Sequence, residues 1–351
     1  MTFKSIVRSI PGWLSTKGPE SEIVISARAR LARNIAHVPY AHRANNKKLG
    51  EVVNRVLKAA DIAGFDSKNF FCNDELDDSQ KSILIERHLI SPALASKNGN
   101  RGVLVMEKEC CSVMINEEDH LRMQSMKTGF EPIGALEEVV CVENKFSSAL
   151  SFSFSKEYGY LTACPTNMGT GLRVSVLIHL PALVLTKEIQ RVIRSAGQLG
   201  LAVRGYYGEG SDVVGNLFQI SNQTSLGKTE REIVDGLISV VKQVIEYEKH
   251  GADTLMKEAK SQIEDKIFRS IGILKTARVL STHEFMNLSS AARLGIYLEL
   301  LDKPLLTSLN ELMIITQPGH LQERIGRKVE TMERDTIRAN FVREQFIDVK
   351  I

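Results

Sequence analysis

The feature that most constrains this chain is a change of hydrophobic period part-way along it. Thr229 and Glu232 form a capping box, and behind them Ile233, Leu237, Val240, Val241, Val244 and Ile245 recur every three or four residues. That pattern predicts one long amphipathic helix, with Gly251 as its stop. Before it the apolar runs are short and β-rich: Val103 to Met106, Ser112 to Asn116, Leu150 to Ser155 in strict alternation, Tyr160 to Ala163, Leu201 to Arg204 and Asn216 to Ser221. An early helix over 46–64, with Leu49, Val52, Val53, Val56, Leu57 and Ala60 at helical spacing, ends at Gly64. Beyond 251 the segments 253–270, 289–301 and 321–346 read as helices, broken around Pro304 and Pro318. The expected organisation is an N-terminal segment over 1–22, an α+β domain over 23–251 whose middle is a sheet with few long helices, and a helical domain over 252–351.

A chain of 351 residues with 43% hydrophobic content can fill two cores. Lys and Arg number 45 against 42 Asp and Glu, and a net charge of +3 gives no basic surface for nucleic acid or an acidic membrane. The longest apolar run, Val174 to Leu185, is interrupted by His179 and Pro181 and falls short of the roughly 20 residues that cross a bilayer. No signal peptide is read at the N-terminus, so the cytoplasm is the expected location. Five cysteines, Cys72, Cys110, Cys111, Cys141 and Cys164, lack C-x-x-C spacing or nearby histidines, and read as reduced thiols rather than zinc ligands or a disulfide framework.

Two nucleotide-binding motifs are absent. Gly227, Lys228 and Thr229 end like a Walker A loop, but Asn222 stands where its first glycine belongs, and Gly169 and Gly171 do not complete G-x-G-x-x-G. The chain carries instead arginines at strand and loop edges: Arg28 and Arg30 in SARARLARN, Arg122 in NEEDHLR, Arg173 in CPTNMGTGLR and Arg204 in RGYYGEG. A guanidinium is a planar, permanently charged fork suited to phosphate. Arg28 and Arg30 are two apart, so on a strand they share a face. Each arginine alone would be an ordinary surface charge, the acidic run Glu117, Glu118 and Asp119 an ordinary solvated turn, Cys164 a structural thiol, and Glu209 a solvated acid in a glycine-dense loop.

As a set these residues resemble the ATP:guanidino phosphotransferases, the phosphagen kinases. SARAR, NEEDH with Leu121 and Arg122, CPTNMGTGLR, RGYYGE and ISNQTSLGKTE stand in that family's order across residues 23–251. The resemblance implies an antiparallel sheet flanked by helices, of the glutamine-synthetase-like kind. It implies ATP as phosphoryl donor, with Mg²⁺ held mainly by the nucleotide phosphates and no dedicated metal-ligand cluster. Arg28, Arg30, Arg122, Arg173 and Arg204 would clamp the phosphates, with Ser26, Ala27, Ala29, His88, Val174, Ser175, Val176, Leu177, Gly205, Tyr206, Tyr207, Gly208 and Glu209 completing the ATP-binding blocks. Leu177 departs from the histidine of animal creatine kinases. Glu118 would hold the guanidinium and act as base, Glu209 would grip it from the other side, and Cys164 would be the reactive thiol beside it. That division suits the chemistry, because a protonated guanidinium is a poor nucleophile until a carboxylate orients it and takes its proton.

Within the family, only 25 residues precede Ser26 and about a hundred helical residues follow 251, an arrangement that resembles the bacterial protein-arginine kinases. The segment RDTIRA, with Arg334, Asp335, Arg338 and Ala339, matches their phosphoarginine-binding motif, although arginines four apart on a helix are also common surface pairs. The resemblance then implies protein substrates bearing arginine, marking for an AAA+ unfoldase and its protease, regulation of stress-response repressors, an activator protein, and no nucleic acid or membrane partner. The apolar C-terminal helices fit a homodimer and equally packing within one domain. A phosphagen kinase acting on a free guanidino compound and a silent phosphoarginine-binding adaptor are the other readings.

Overall fold

The computed structural model describes residues 3–206 and 213–347. In chain order the strands are β1 (Val24–Arg33), β2 (Phe70–Cys72), β3 (Gly102–Val105), β4 (Cys111–Ile115), β5 (Leu121–Thr128), β6 (Phe154–Ser155), β7 (Gly159–Tyr160), β8 (Leu172–His179), β9 (Leu201–Arg204) and β10 (Leu217–Asn222). The helices are α1 (Phe3–Arg8), α2 (Asn46–Ile62), α3 (Asp78–Glu86), α4 (Pro92–Ala95), α5 (Pro132–Ser147), α6 (Pro181–Leu185), α7 (Ile189–Gln198), α8 (Glu230–Glu258), α9 (Lys260–Thr276), α10 (Thr282–Tyr297), α11 (Leu305–Ile315), α12 (Pro318–Ile325) and α13 (Thr331–Phe346). Eight strands form one antiparallel sheet in the order β2-β3-β4-β5-β1-β8-β10-β9, and β6 and β7 make a separate hairpin.

Strand β1 lies near the middle of the sheet, and its alternation sorts the two faces. Ala27, Ala29 and Leu31 point into a core shared with Val174, Val176 and Ile178 of β8 and Met123 of β5, covered by α2, α5 and α8. Ser26, Arg28 and Arg30 point the other way. Their cross-strand partners are Leu177, Ser175 and Arg173 on one side and Thr128, Met126 and Gln124 on the other, so a polar face is built strand by strand.

The capping box at α8 forms as expected: the Glu232 N–H donates to Thr229 Oγ1 at 3.2 Å, and the Thr229 N–H donates to the Glu232 carboxylate at 2.7 Å. Gly251, however, does not stop the helix, which continues to Glu258. It is buried where α8 crosses α6, and a Cβ there would stand 3.4 Å from the Ala182 Cβ, so its smallness serves packing. The expected helix 253–270 is in fact divided at Ala259 between α8 and α9. Pro304 and Pro318 stand at the starts of α11 and α12, where a missing N–H costs nothing. In the middle, the 16 residues of α5 are a long helix that the β-rich reading passed over. Leu150 to Ser155 is strand only at Phe154–Ser155; Phe152 makes an isolated bridge to Ile35 beyond the end of β1. Tyr160 to Ala163 likewise keeps strand structure only at Tyr160.

A second core lies among α9, α10, α11 and α13, with Phe285, Leu312 and Phe346 fully buried. It also takes in Trp13 and Leu14 from the N-terminal segment and Ile25, Met126, Leu177 and Tyr206 beside the polar face. The C-terminal helices are therefore packed against the rim of the site.

Candidate active site

On the polar face lies a cleft of about 770 Å³. It brings together Arg28, Arg30, Arg122, Arg173, Arg204, His88, Glu118 and Cys164, all singled out in the sequence. The register explains the convergence: Arg30 lies opposite Arg173, and Arg204 opposite Gln219. Ala32, two residues beyond Arg30 on the same face, lies opposite Arg122.

So many cations in one place repel each other. Burial, then Arg122 and Arg173, brings the Arg28 guanidinium down to about 10, and burial with Arg28, Arg122 and Arg173 lowers Arg30 further. The Nε of Arg28 and the Nε of Arg30 are buried with no hydrogen-bond partner among the described residues. Buried charge with unsatisfied donors is the signature of a site made for an anion. His88 is pushed down to about 3 by burial and by Arg28 and Arg30, so it is neutral near pH 7. Its ring lies between Trp13 and Tyr206, with centroids 5.4 and 5.2 Å away. Its carbonyl accepts from Gln124 Nε2 at 2.7 Å.

The acidic triplet is not a solvated turn. Glu117 is buried, with Oε2 2.7 Å from Arg122 Nη1 and Oε1 accepting from Ser91 Oγ. Burial pushes its carboxyl up, but Arg122 and these hydrogen bonds outweigh that and hold it below the usual range. Asp119 is also buried; it accepts from Asn34 Nδ2 and from the Ala163 N–H, both at 2.6 Å, and so ties the segment before Cys164 to the end of β1. His120 Nδ1 accepts the Ile35 N–H at 3.0 Å, which leaves Nε2 to donate to the Pro39 carbonyl. Only Glu118 of the three is exposed, at the cleft. Cys164 lies across from it, with Sγ 3.0 Å from Thr166 Oγ1. The loop after it depends on Gly169, at φ +106°, where a Cβ would lie 2.6 Å from the Ser225 carbonyl oxygen. That contact joins CPTN to ISNQTS.

The remaining expected ATP-binding residues divide by face. Ser26, Ser175, Leu177 and Tyr206 line a small recess beside the cleft with Arg28 and His88. Ala27, Ala29, Val174 and Val176 are fully buried in the core on the opposite face, so their side chains are spacers and not contacts. Gly205 follows β9, while Tyr207, Gly208 and Glu209 lie outside the described residues. The cleft also contains Ser91, Lys97, Gln124, Gln219 and Gln223, which the sequence reading did not name. Gln124 alternates with Arg122 and was open to a period-two argument; Ser91 and Lys97, just before and just after a short helix, carried no such signal.

At the C-terminus, Arg334, Asp335, Arg338 and Ala339 all lie on α13. Arg338 is fully buried: Nε donates to the Thr316 carbonyl at 2.9 Å, and Nη1 donates to the Leu280 carbonyl at 2.8 Å and to Asp335. Its Nη2 and the Arg334 Nε are buried without a partner among the described residues. Ala339 belongs to the second core. The pair is thus not an exposed salt-bridged surface.

Comparison with known proteins supplies the context. The profile described as "ATP:guanido phosphotransferase, C-terminal catalytic domain" matches residues 49–251, and that described as "Protein-arginine kinase McsB C-terminal domain" matches residues 260–350. The protein-arginine kinase of Halothermothrix orenii is 42% identical over 344 residues, covering 98% of this chain and 99% of the relative. That of Bacillus subtilis is 42% identical over 349 residues, covering 98% and 96%. A crystal structure of lombricine kinase superposes with a TM-score of 0.56 at 27% identity over 70% of each chain. With an antiparallel sheet carrying an arginine-lined cleft and both profiles matched in order, this chain belongs to the ATP:guanido phosphotransferase family, in its protein-arginine kinase branch.

Proposed function

We propose that this protein transfers the γ-phosphoryl group of ATP to the guanidinium of arginine side chains in proteins. The observation that carries the reading is the convergence of five arginines, Glu118 and Cys164 in one cleft, with the Nε groups of Arg28 and Arg30 unsatisfied. Arg28, Arg30, Arg122, Arg173 and Arg204 hold the phosphates and offset the charge that collects on the leaving ADP as the β–γ bridging P–O bond breaks and the P–N bond forms. Glu117 keeps Arg122 aimed into the cleft. Glu118, exposed at the cleft, orients the substrate guanidinium and accepts the proton its nitrogen loses, a task in which Glu209 assists, and Cys164 lines the same cleft as Glu118. The cleft suits Mg²⁺ carried by the nucleotide, since Glu117 is committed to Arg122 and Ser91; the ion supplies further neutralisation of phosphate charge.

The protein substrate is supported by the name of the relatives and by the match of the C-terminal profile. On this reading Arg334, Asp335, Arg338 and Ala339 form the phosphoarginine pocket, acting through the unsatisfied Arg334 Nε and Arg338 Nη2. The product would mark proteins for an AAA+ unfoldase and protease and tune stress-response repressors. No described helix is long and apolar enough to cross a membrane, in keeping with work in the cytoplasm. The test is incubation with ATP, Mg²⁺ and an arginine-bearing protein, beside free arginine or creatine, followed by mass spectrometry at a pH that preserves P–N bonds. Phosphoarginine on the protein, lost in Glu118→Gln, is expected. Turnover of the free compound alone would overturn the protein-substrate assignment.

A further inference from the structure

On the opposite face of the same sheet, behind the cleft, lies a second cavity of about 540 Å³, lined among others by Cys110, Cys111, Glu138, Cys141 and Lys145. Cys110 immediately precedes β4 and Cys111 begins it, while Glu138 and Cys141 are three apart on α5 and so occupy one helix face. The ligand atoms of Cys110, Cys111 and Glu138 all lie within 4.8 Å of one another. Neither the spacing of the cysteines nor any nearby histidine announced this, because Cys110 and Cys111 come from the start of a strand and Glu138 from a helix distant in sequence.

We propose that Cys110, Cys111 and Glu138 form a three-ligand binding site for a soft divalent metal ion of the Zn²⁺ or Cd²⁺ class, with its fourth position open to water. Two thiolates and a carboxylate suit such an ion better than Mg²⁺ or Ca²⁺, which prefer oxygen throughout. In a tetrahedral site with Zn–S near 2.3 Å the ligand atoms stand roughly 3.5–4 Å apart, a spacing compatible with three donor atoms that all lie within 4.8 Å of one another. Glu138 is already oriented, its Oε2 accepting from Ser125 Oγ at 2.5 Å and lying 3.0 Å from Lys127 Nζ. Such hydrogen bonds fix a metal-binding carboxylate in place. The charges also balance. Two thiolates and a carboxylate around a divalent ion leave one negative charge, which the Lys127 ammonium beside Glu138 offsets. Because the Met126 N–H donates to the Cys110 carbonyl at 3.1 Å, the ion would brace β4 and β5, the strands flanking Glu117 and Arg122, against α5.

The test uses the full, reduced chain with Zn²⁺ or Cd²⁺ alone as probe. After desalting, elemental analysis should find about one ion per chain, and Cys110→Ser with Cys111→Ser should lower the affinity at least about tenfold. Zn²⁺ should raise the melting temperature of the parent and not of that variant. Should the double variant fail to fold, alkylation of the parent decides: the ion should protect Cys110 from iodoacetamide while Cys72 and Cys164 react as before. An ion retained equally without Cys110 and Cys111, protection confined to Cys164, or no retained ion would each overturn the site.

Discussion

Removing one charge from the arginine cluster should make the protein more stable and less able to bind its nucleotide. Arg28 stands on the polar face of β1 within reach of Arg122 and Arg173, and its guanidinium is brought to about 10 by burial and by those neighbours. A drop of that size corresponds to about 3 kcal/mol against the charged form at neutral pH, since both folded and unfolded chains keep the proton there. Solvent in the cleft screens part of this, and methionine keeps most of the aliphatic contact, so Arg28→Met should gain about 1–2 kcal/mol. The sign follows from linkage: for a base with a depressed folded pKa the penalty is fully present below about pH 10 and relaxes only above it. Urea denaturation without nucleotide reads the gain, as a higher midpoint at unchanged slope. The same titration with MgATP reads the loss, because the parent should be stabilised by ligand and the variant should not. A variant that is destabilised by 1 kcal/mol or so, or that keeps the full ATP-induced stabilisation, would show that the cluster is neither strained nor a phosphate clamp.

The two glutamates of the triplet should separate cleanly by readout. If Glu118 is the proposed base, Glu118→Gln should lower kcat by about a hundredfold or more, with an unchanged melting curve because the residue is exposed. Glu117→Gln should cost about 2–4 kcal/mol of stability, by leaving Arg122 unpaired, and should lower kcat/KM at least about tenfold; denaturation and steady-state kinetics on the same samples check both. Gly251→Ala should stabilise the chain by about 0.5–1 kcal/mol, because the position is helix interior and the added methyl meets Ala182 at an ordinary contact distance. If Gly251 instead ended the helix in a left-handed cap, thermal melts would show a loss. Glu248 is raised to about 7 by burial, despite accepting the Ala182 and Leu183 N–H groups at 2.7 and 3.0 Å. Stability should therefore fall by up to about 3 kcal/mol as pH rises from about 5 to 7, while the unfolded chain has already lost that proton, and Glu248→Gln should flatten that slope in melts across the range.

The cleft shows how one strand serves two purposes. Alternation in β1 sends alanines of minimal volume into the helical core and arginines into the cleft, so Arg28 and Arg30 stand on a strand paired along its length on both sides. Such a platform holds like charges close together without relaxing away from them, because moving Arg28 or Arg30 outward would break the ladders to both β5 and β8. The acidic triplet divides labour in the same way. Asp119 and Glu117 are structural carboxylates that aim neighbours, and only Glu118 is left facing solvent in the cleft.

What the sequence by itself determined was whatever depends on local period and on short contiguous blocks. The shared face of Arg28 and Arg30, the strand Leu201–Arg204, the helix from Asn46 to Ile62 and the capping box of α8 follow from backbone geometry that any neighbour must accept. The blocks from SARAR to ISNQTS named the chemistry for the same reason, each being a short run whose residues act together. What only the tertiary structure decided were matters of partnership. Gly251 is a stop in isolation and a packing contact once α6 lies on it. Glu117, Glu118 and Asp119 are equivalent in sequence and become distinct through Arg122, solvent and Asn34. Cys110 and Cys111 gain Glu138 only because α5 folds back over β1 and β5, next to the start of β4. Burial and opposite charge act through space at a few ångströms, and no spacing along the chain records which distant residue will supply them.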